Sequence, residues 1–166
     1  SGEYEKAIDA IEYSFIINPD FEEGYMECAD ICCQIKDIGK ALKVYQEAID
    51  YFGEDNDLLI NISECQMYLN KTADCKNNLY KAVKQDPYND EIYYFLAECY
   101  SKEEKWYSAI NAYHKAIEIE DSCGEYYLGL ARAYVAVEDY NKATINFHLS
   151  VSDGPEQTHF WREFAS

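Results

Sequence analysis

Seven cysteines, three histidines and an excess of carboxylates are the residues of this chain that could carry chemistry. The cysteines are Cys28, Cys32, Cys33, Cys65, Cys75, Cys99 and Cys123. Their number is odd and no two are spaced C-x-x-C, which suits neither a disulfide framework nor a zinc ribbon. Free thiols in that number point to a reducing compartment and a cytoplasmic location. Adjacent Cys32 and Cys33 would form a redox pair only if both faced the same way, and neighbours on a helix point apart, so one of them is read as buried. His114 and His148 stand 34 residues apart and could stack as a ligand pair. No Asp or Cys at metal spacing accompanies them, so they read as solvated surface residues. The third histidine is His159.

Catalytic motifs are equally sparse. The serines lack a nucleophile elbow, and neither G-x-x-x-x-G-K nor G-x-G-x-x-G occurs. Carboxylates could nominally supply an acid/base pair, but in a strongly acidic chain most form solvated faces. The reading is therefore no enzyme, no metal and no cofactor. Lys and Arg total 14 against 32 Asp and Glu, a formal net charge of -18. That balance excludes a phosphate-backbone binder and an anionic membrane surface, both of which need clustered cations. The 17 Tyr, 7 Phe and 2 Trp could suggest base stacking, yet stacking platforms work beside a cationic groove, so these rings read first as core. No run approaches the ~18 apolar residues of a membrane span. The N-terminus lacks the basic-then-apolar layout of a signal peptide.

The elements that must position these residues follow from periodicity. With 7 Gly and 3 Pro in 166 residues, punctuation is too sparse for a β-sandwich or barrel and suits long helices. The prolines are in register: Pro19, Pro87 and Pro155 are separated by 68 residues, twice 34. A fixed period of that size marks a solenoid. Alignment on it gives four complete units, 22–55, 56–89, 90–123 and 124–157, with no insertion. Residues 1–21 read as the second helix of an earlier unit, and 158–166 as the start of a further unit or a capping helix. Each unit reads as two amphipathic helices; in the third, Tyr93, Leu96, Ala97 and Tyr100 recur at helical spacing, followed by a polar break and then Ala109, Tyr113 and Ala116. Small residues (Ala29, Ala97 and Ala131 in first helices, Ala41, Ala109 and Ala143 in second helices) let two backbones approach closely. Large residues such as Tyr25, Tyr93, Tyr127, Tyr45, Tyr113 and Phe147 fill the space beside them.

These residues carry a resemblance. The fourth unit reads Y-L-G-L-A-R-A-Y from Tyr127 to Tyr134, then Ala143, Phe147 and Pro155, and the next opens with Trp161. This is similar to the tetratricopeptide (TPR) pattern W-x2-L-G-x2-Y…A-x3-F…P. The second unit departs most, at Ser63, Gln66 and Cys75. The resemblance covers essentially the whole chain and implies an all-α, right-handed α-solenoid of antiparallel helix pairs. It also implies a concave peptide groove lined by the second, fifth, ninth, twelfth and thirteenth places of each unit. The fifth place holds Met26, Ile60, Tyr94 and Leu128, and the ninth holds Asp30, Glu64, Glu98 and Arg132. The twelfth holds Cys33, Met67, Ser101 and Val135, with Tyr68 and Lys102 at the thirteenth. Glu23, Asp57, Glu91 and Glu125 at the second place have a local reason to be acidic, because a helix N-terminus favours carboxylates. The ninth place is mid-helix, where no such reason applies. Some TPR domains grip a C-terminal carboxylate with Lys and Asn at the fifth and ninth places, and this chain has apolar residues and acids there instead.

Two functions follow. The first is a scaffold binding a protein or peptide, basic or amphipathic, in an acidic and apolar groove. The second is a structural or oligomerising segment of a larger protein. An uncapped array exposes apolar stripes, so homo-association is expected through residues 3–18 (Ala7, Ile8, Ile11, Phe15) or through Phe160, Trp161 and Phe164. The register makes a direct prediction. Ala109→Leu should overpack a helix–helix contact and cost ~1–3 kcal/mol, while Glu118→Ala stays within about 0.5 kcal/mol. Urea midpoints of the two variants check it.

Overall fold

A computed structural model describes residues 22–151, together with Gly2, Lys6, Ile8 and Asp9 ahead of them, all four in helix. Every regular element among the described residues is an α-helix. Contacts divide the chain into two compact units, residues 1–85 and 86–166. In the first, α1 (Glu22–Gln34), α2 (Ile38–Phe52), α3 (Asn56–Tyr68) and α4 (Thr72–Gln85) pack each against the next. In the second, α5 (Asp90–Lys102), α6 (Trp106–Ile119), α7 (Gly124–Ala136) and α8 (Tyr140–Ser150) do the same, and α5 also touches α7. The architecture is an all-α array of helix pairs of the α-solenoid class. Its longest described helix, α2, has 15 residues, and no described helix is long and apolar enough to cross a membrane.

Each pair closes on small side chains. Ala29, Ala41, Ala97, Ala109 and Ala131 are fully buried and Ala143 is 3% exposed. In the second pair the equivalent residues are Ser63 and Cys75, both also fully buried. Ser63 Oγ donates to the Leu59 carbonyl at 2.7 Å and reaches the Cys75 carbonyl at 3.5 Å, so its hydroxyl is satisfied where the backbones approach. Buried Gln66 accepts a 3.0 Å hydrogen bond from Asn78 Nδ2, giving that polar residue a partner across the same pair. The departures at Ser63, Gln66 and Cys75 are thus packed and paired.

The turns inside the pairs share one backbone device. Lys36 (φ 64°), Asn70 (φ 57°), Glu104 (φ 57°) and Glu138 (φ 62°) are left-handed and recur every 34 residues. At each, the following amide turns back to a carbonyl in the last turn of the first helix: Asp37 to Cys32 at 2.9 Å, Lys71 to Gln66 at 2.8 Å, Lys105 to Tyr100 at 2.9 Å and Asp139 to Tyr134 at 3.0 Å. This satisfies carbonyls that a helix end leaves without partners. Asp37 and Asp139 then cap the next helix, accepting from the amides of Lys40 and Lys142 at 3.1 and 3.2 Å. Gly53, at φ 96°, ends α2 in a conformation that side chains resist.

The reading of residues 3–18 as an unpaired apolar face meets a correction at Ile8. It is 3% exposed and belongs to the buried cluster that includes Tyr25, Cys28 and Ala41, so it offers nothing to a second copy. Ala7, Ile11 and Phe15 lie outside the described residues, as do His159, Phe160, Trp161 and Phe164, segment 158–166 and most of segment 1–21.

A left-handed glutamate is strained at Cβ where glycine is not. Glu104→Gly and Glu138→Gly should each stabilise by about 0.5–1 kcal/mol after the extra chain entropy is subtracted. Asn70→Gly, starting from a residue that tolerates this conformation, should change little. Thermal unfolding of the three variants decides it.

Candidate groove on the helix-pair faces

On the first unit, Met26, Asp30 and Cys33 share one face of α1 at spacings of four and three residues. Ile60, Glu64 and Met67 repeat that spacing on α3. Two clefts open here. One, of about 520 Å3, is lined by Glu22, Glu23, Met26, Glu27, Asp30, Asp55, Asp57 and Leu58. It presents six carboxylates and no cation around two apolar side chains. The other, of about 620 Å3, is lined by Asp30, Cys33, Gln34, Lys36, Ile38, Tyr45, Asn61, Glu64, Cys65 and Tyr68. Asp30 borders both. Of the groove residues named from sequence, Met26, Asp30, Cys33, Glu64 and Tyr68 are therefore brought to these clefts. Met67 is half-buried and lines neither, and Ile60, 5% exposed, is a core residue.

Asp30 has a structural partner that periodicity does not reveal. The Tyr45 hydroxyl on α2 donates to Asp30 Oδ1 at 2.9 Å. On the second unit, the Tyr113 hydroxyl on α6 donates to Glu98 in the same way. The view that the ninth place lacks a local reason to be acidic is corrected for these two: each carboxylate holds a buried phenol from its own pair. Burial, then the neighbouring carboxylate, raises both phenols, so each remains a donor. Leu79 and Phe147 take the corresponding place in the other two pairs and have no hydroxyl to offer.

The thiols are quiet. Cys32 is fully buried and its neighbour Cys33 faces the 620 Å3 cleft. Cys33 and Cys65 are within hydrogen-bonding reach of each other. Burial raises the Cys33 thiol, and burial followed by the Cys33 charge pushes Cys65 up to about 12. Both stand protonated near neutral pH and are poor nucleophiles. All seven cysteines are free, and no group of three or more His, Cys, Asp or Glu among the described residues could hold a metal ion.

On the second unit, Tyr94 packs its ring 5.0 Å from Tyr126 and 6.3 Å from Tyr113. Burial, then Glu98 and Glu125, pushes its hydroxyl up to about 12. Leu128 is half-buried, while Arg132 and Val135 are exposed. Tyr113 lies so close to α7 that a Cβ on Gly129 would stand 2.4 Å from its ring. Glycine there is what admits the ring.

His114 is not a solvated residue. It is half-buried and its Nε2 lies 3.0 Å from the Tyr134 hydroxyl. Burial lowers its pKa from 6.5, with Glu118 opposing and Lys142 assisting. His148 is exposed.

No protein-family model and no curated protein sequence matches this chain. Solved structures do. MamA superposes with a TM-score of 0.80 at 17% identity, covering 98% of this chain and 92% of its own. MamA 41-end from Desulfovibrio magneticus RS-1 gives 0.79 at 16% identity, over 99% and 89%. YrrB, described as a TPR protein with an unusual peptide-binding site, gives 0.72 at 13% identity, over 98% and 84%. At these identities the likeness is one of fold. The chain has the tetratricopeptide fold.

The His114 environment sets a pH dependence. Its folded pKa lies below the unfolded value, so below about 6.5 the unfolded chain binds more protons and stability falls with pH. The contribution is fully present above that value. His114→Gln should therefore lose less stability than wild type between pH 7 and pH 5, measured by urea unfolding.

Proposed function

We propose that this protein is a non-catalytic scaffold that binds a partner protein or peptide of basic or amphipathic character. The observation that carries this reading is the 520 Å3 cleft of the first unit, with six carboxylates, no cation, and Met26 and Leu58 at its apolar part. Clefts lined by one sign of charge focus their field on an incoming ligand. Burial of apolar ligand side chains against half-buried Met26 supplies the part that salt does not screen. Tyr94, Glu98, Leu128, Arg132 and Val135 give the second unit a comparable face of mixed charge. YrrB, a TPR protein with an unusual peptide-binding site, supports peptide binding as a use of this fold. The alternative is a structural or oligomerising segment, favoured by exposed rings such as Tyr88 (80%) and Tyr107 (75%).

Because Asp30 and Glu98 hold buried phenols, the test belongs to acids without that duty. A random peptide-display library should yield ligands rich in Lys, Arg and apolar residues. Their affinity should fall as salt rises from about 0.05 to 0.5 M, because exposed charges are screened within ~10 Å at 0.1 M. The triple variant Glu23→Gln, Glu27→Gln, Asp57→Asn should flatten that salt slope. Selection of acidic peptides, or of none, overturns the reading. A dimer broken by Tyr107→Lys in sedimentation would favour the oligomerising alternative.

A further inference from the structure

The 620 Å3 cleft differs in chemistry from its neighbour, whose charged residues are all acids. It sets two carboxylates, Asp30 and Glu64, in one cavity with the Tyr68 ring, Ile38 and Cys33. Tyr68 is 67% exposed, so its ring has a face available to a ligand. The Tyr45 hydroxyl holds Asp30 by Oδ1, which fixes the carboxylate's orientation while leaving its charge in place. The same Asp30 belongs to the adjoining cleft of six carboxylates, which extends the negative field to this cavity.

We propose that this cleft is an arginine-binding subsite, taking the guanidinium of a bound peptide between Asp30 and Glu64 with its plane against Tyr68. The inference rests on the peptide-binding reading above and names one side chain that such a peptide carries. A guanidinium is planar and weakly hydrated, offers two parallel donors to a carboxylate, and stacks on an aromatic face, whereas an ammonium is a strongly hydrated point charge. The arginine methylenes find Ile38 and the Cys33 side chain, both of which line the cavity. A purely apolar side chain would strip water from Asp30 and Glu64 without replacing it by hydrogen bonds. An anion would be repelled. Lys36 also lines the cavity, a cation of the chain's own whose charge a bound guanidinium would meet there.

The test is a 1H–15N correlation titration of the full chain with three probes: N-acetyl-arginine amide, N-acetyl-lysine amide and N-acetyl-citrulline amide. Citrulline keeps the shape of arginine and removes its charge. The arginine probe should shift amides of residues 30–38 and 61–68, with the citrulline probe about tenfold weaker and lysine between them. Glu64→Gln and Tyr68→Ala should each erase most of the arginine–citrulline difference with the spectrum otherwise intact. Lys36→Gln should tighten arginine binding. Equal binding of arginine and citrulline, or arginine shifts confined to other residues, overturns the subsite. If library selection still yields basic peptides in that case, the broader reading stands alone. If selection also fails, both fall.

Discussion

The close approach of two helices at a pair of small side chains is the contact on which the rest of this protein depends. Ala29 with Ala41, Ser63 with Cys75, Ala97 with Ala109 and Ala131 with Ala143 are buried to within a few per cent. Nothing larger than a thiol occupies these places. One turn beyond the small residue, Tyr45 and Tyr113 bury their rings along the seam, whereas Phe147 at the same place is 40% exposed. The reach of those phenols then settles where Asp30 and Glu98 stand. The placement of Asp30 and Glu98 is thus tied to the small-residue contact.

Much of this architecture is legible in the sequence because it is periodic. The prolines, the alanines and the polar breaks each recur in register, and repetition separates them from chance. The pairing of Asp30 with Tyr45 is not legible there, since a period assigns each residue a place but not a partner on the next helix. That pairing needs the relative rotation of the two helices. Ile60 departs from expectation for a related reason: the same place lines a cleft as Met26 and is buried as Ile60, a difference that the period does not carry. His114 reads as surface because no metal-spaced Asp or Cys accompanies it in the sequence, while its ring packs against Tyr134 of the following helix.

Electrostatics divides the carboxylates into two kinds. Some have a duty inside the fold: Asp37, Asp55 and Asp139 serve helix amides, and Asp30 and Glu98 serve phenols. Asp55 has a second role, since it caps α3 through the Leu58 amide at 2.8 Å and also lines the acidic cleft. Others, among them Glu22, Glu23, Glu27 and Asp57, are exposed around Met26 and Leu58. Helix-end preference accounts for an acid in a first turn, and Glu27 lies beyond that turn. Their concentration in one cleft with no cation among its lining residues is what a ligand of opposite charge would meet. The Tyr45 phenol, raised by burial and by Asp30, stays a donor to that carboxylate across the physiological pH range.

Hydrogen–deuterium exchange of the full chain with and without a library-selected basic peptide locates the bound ligand on the helix faces. A ligand lying over the acidic cleft should slow exchange in α1 and α3, strongest around residues 22–34 and 56–68, with α2 and α4 changed least. Protection concentrated in α2 and α4, with α1 and α3 unaffected, would place the ligand on the other faces and overturn this assignment.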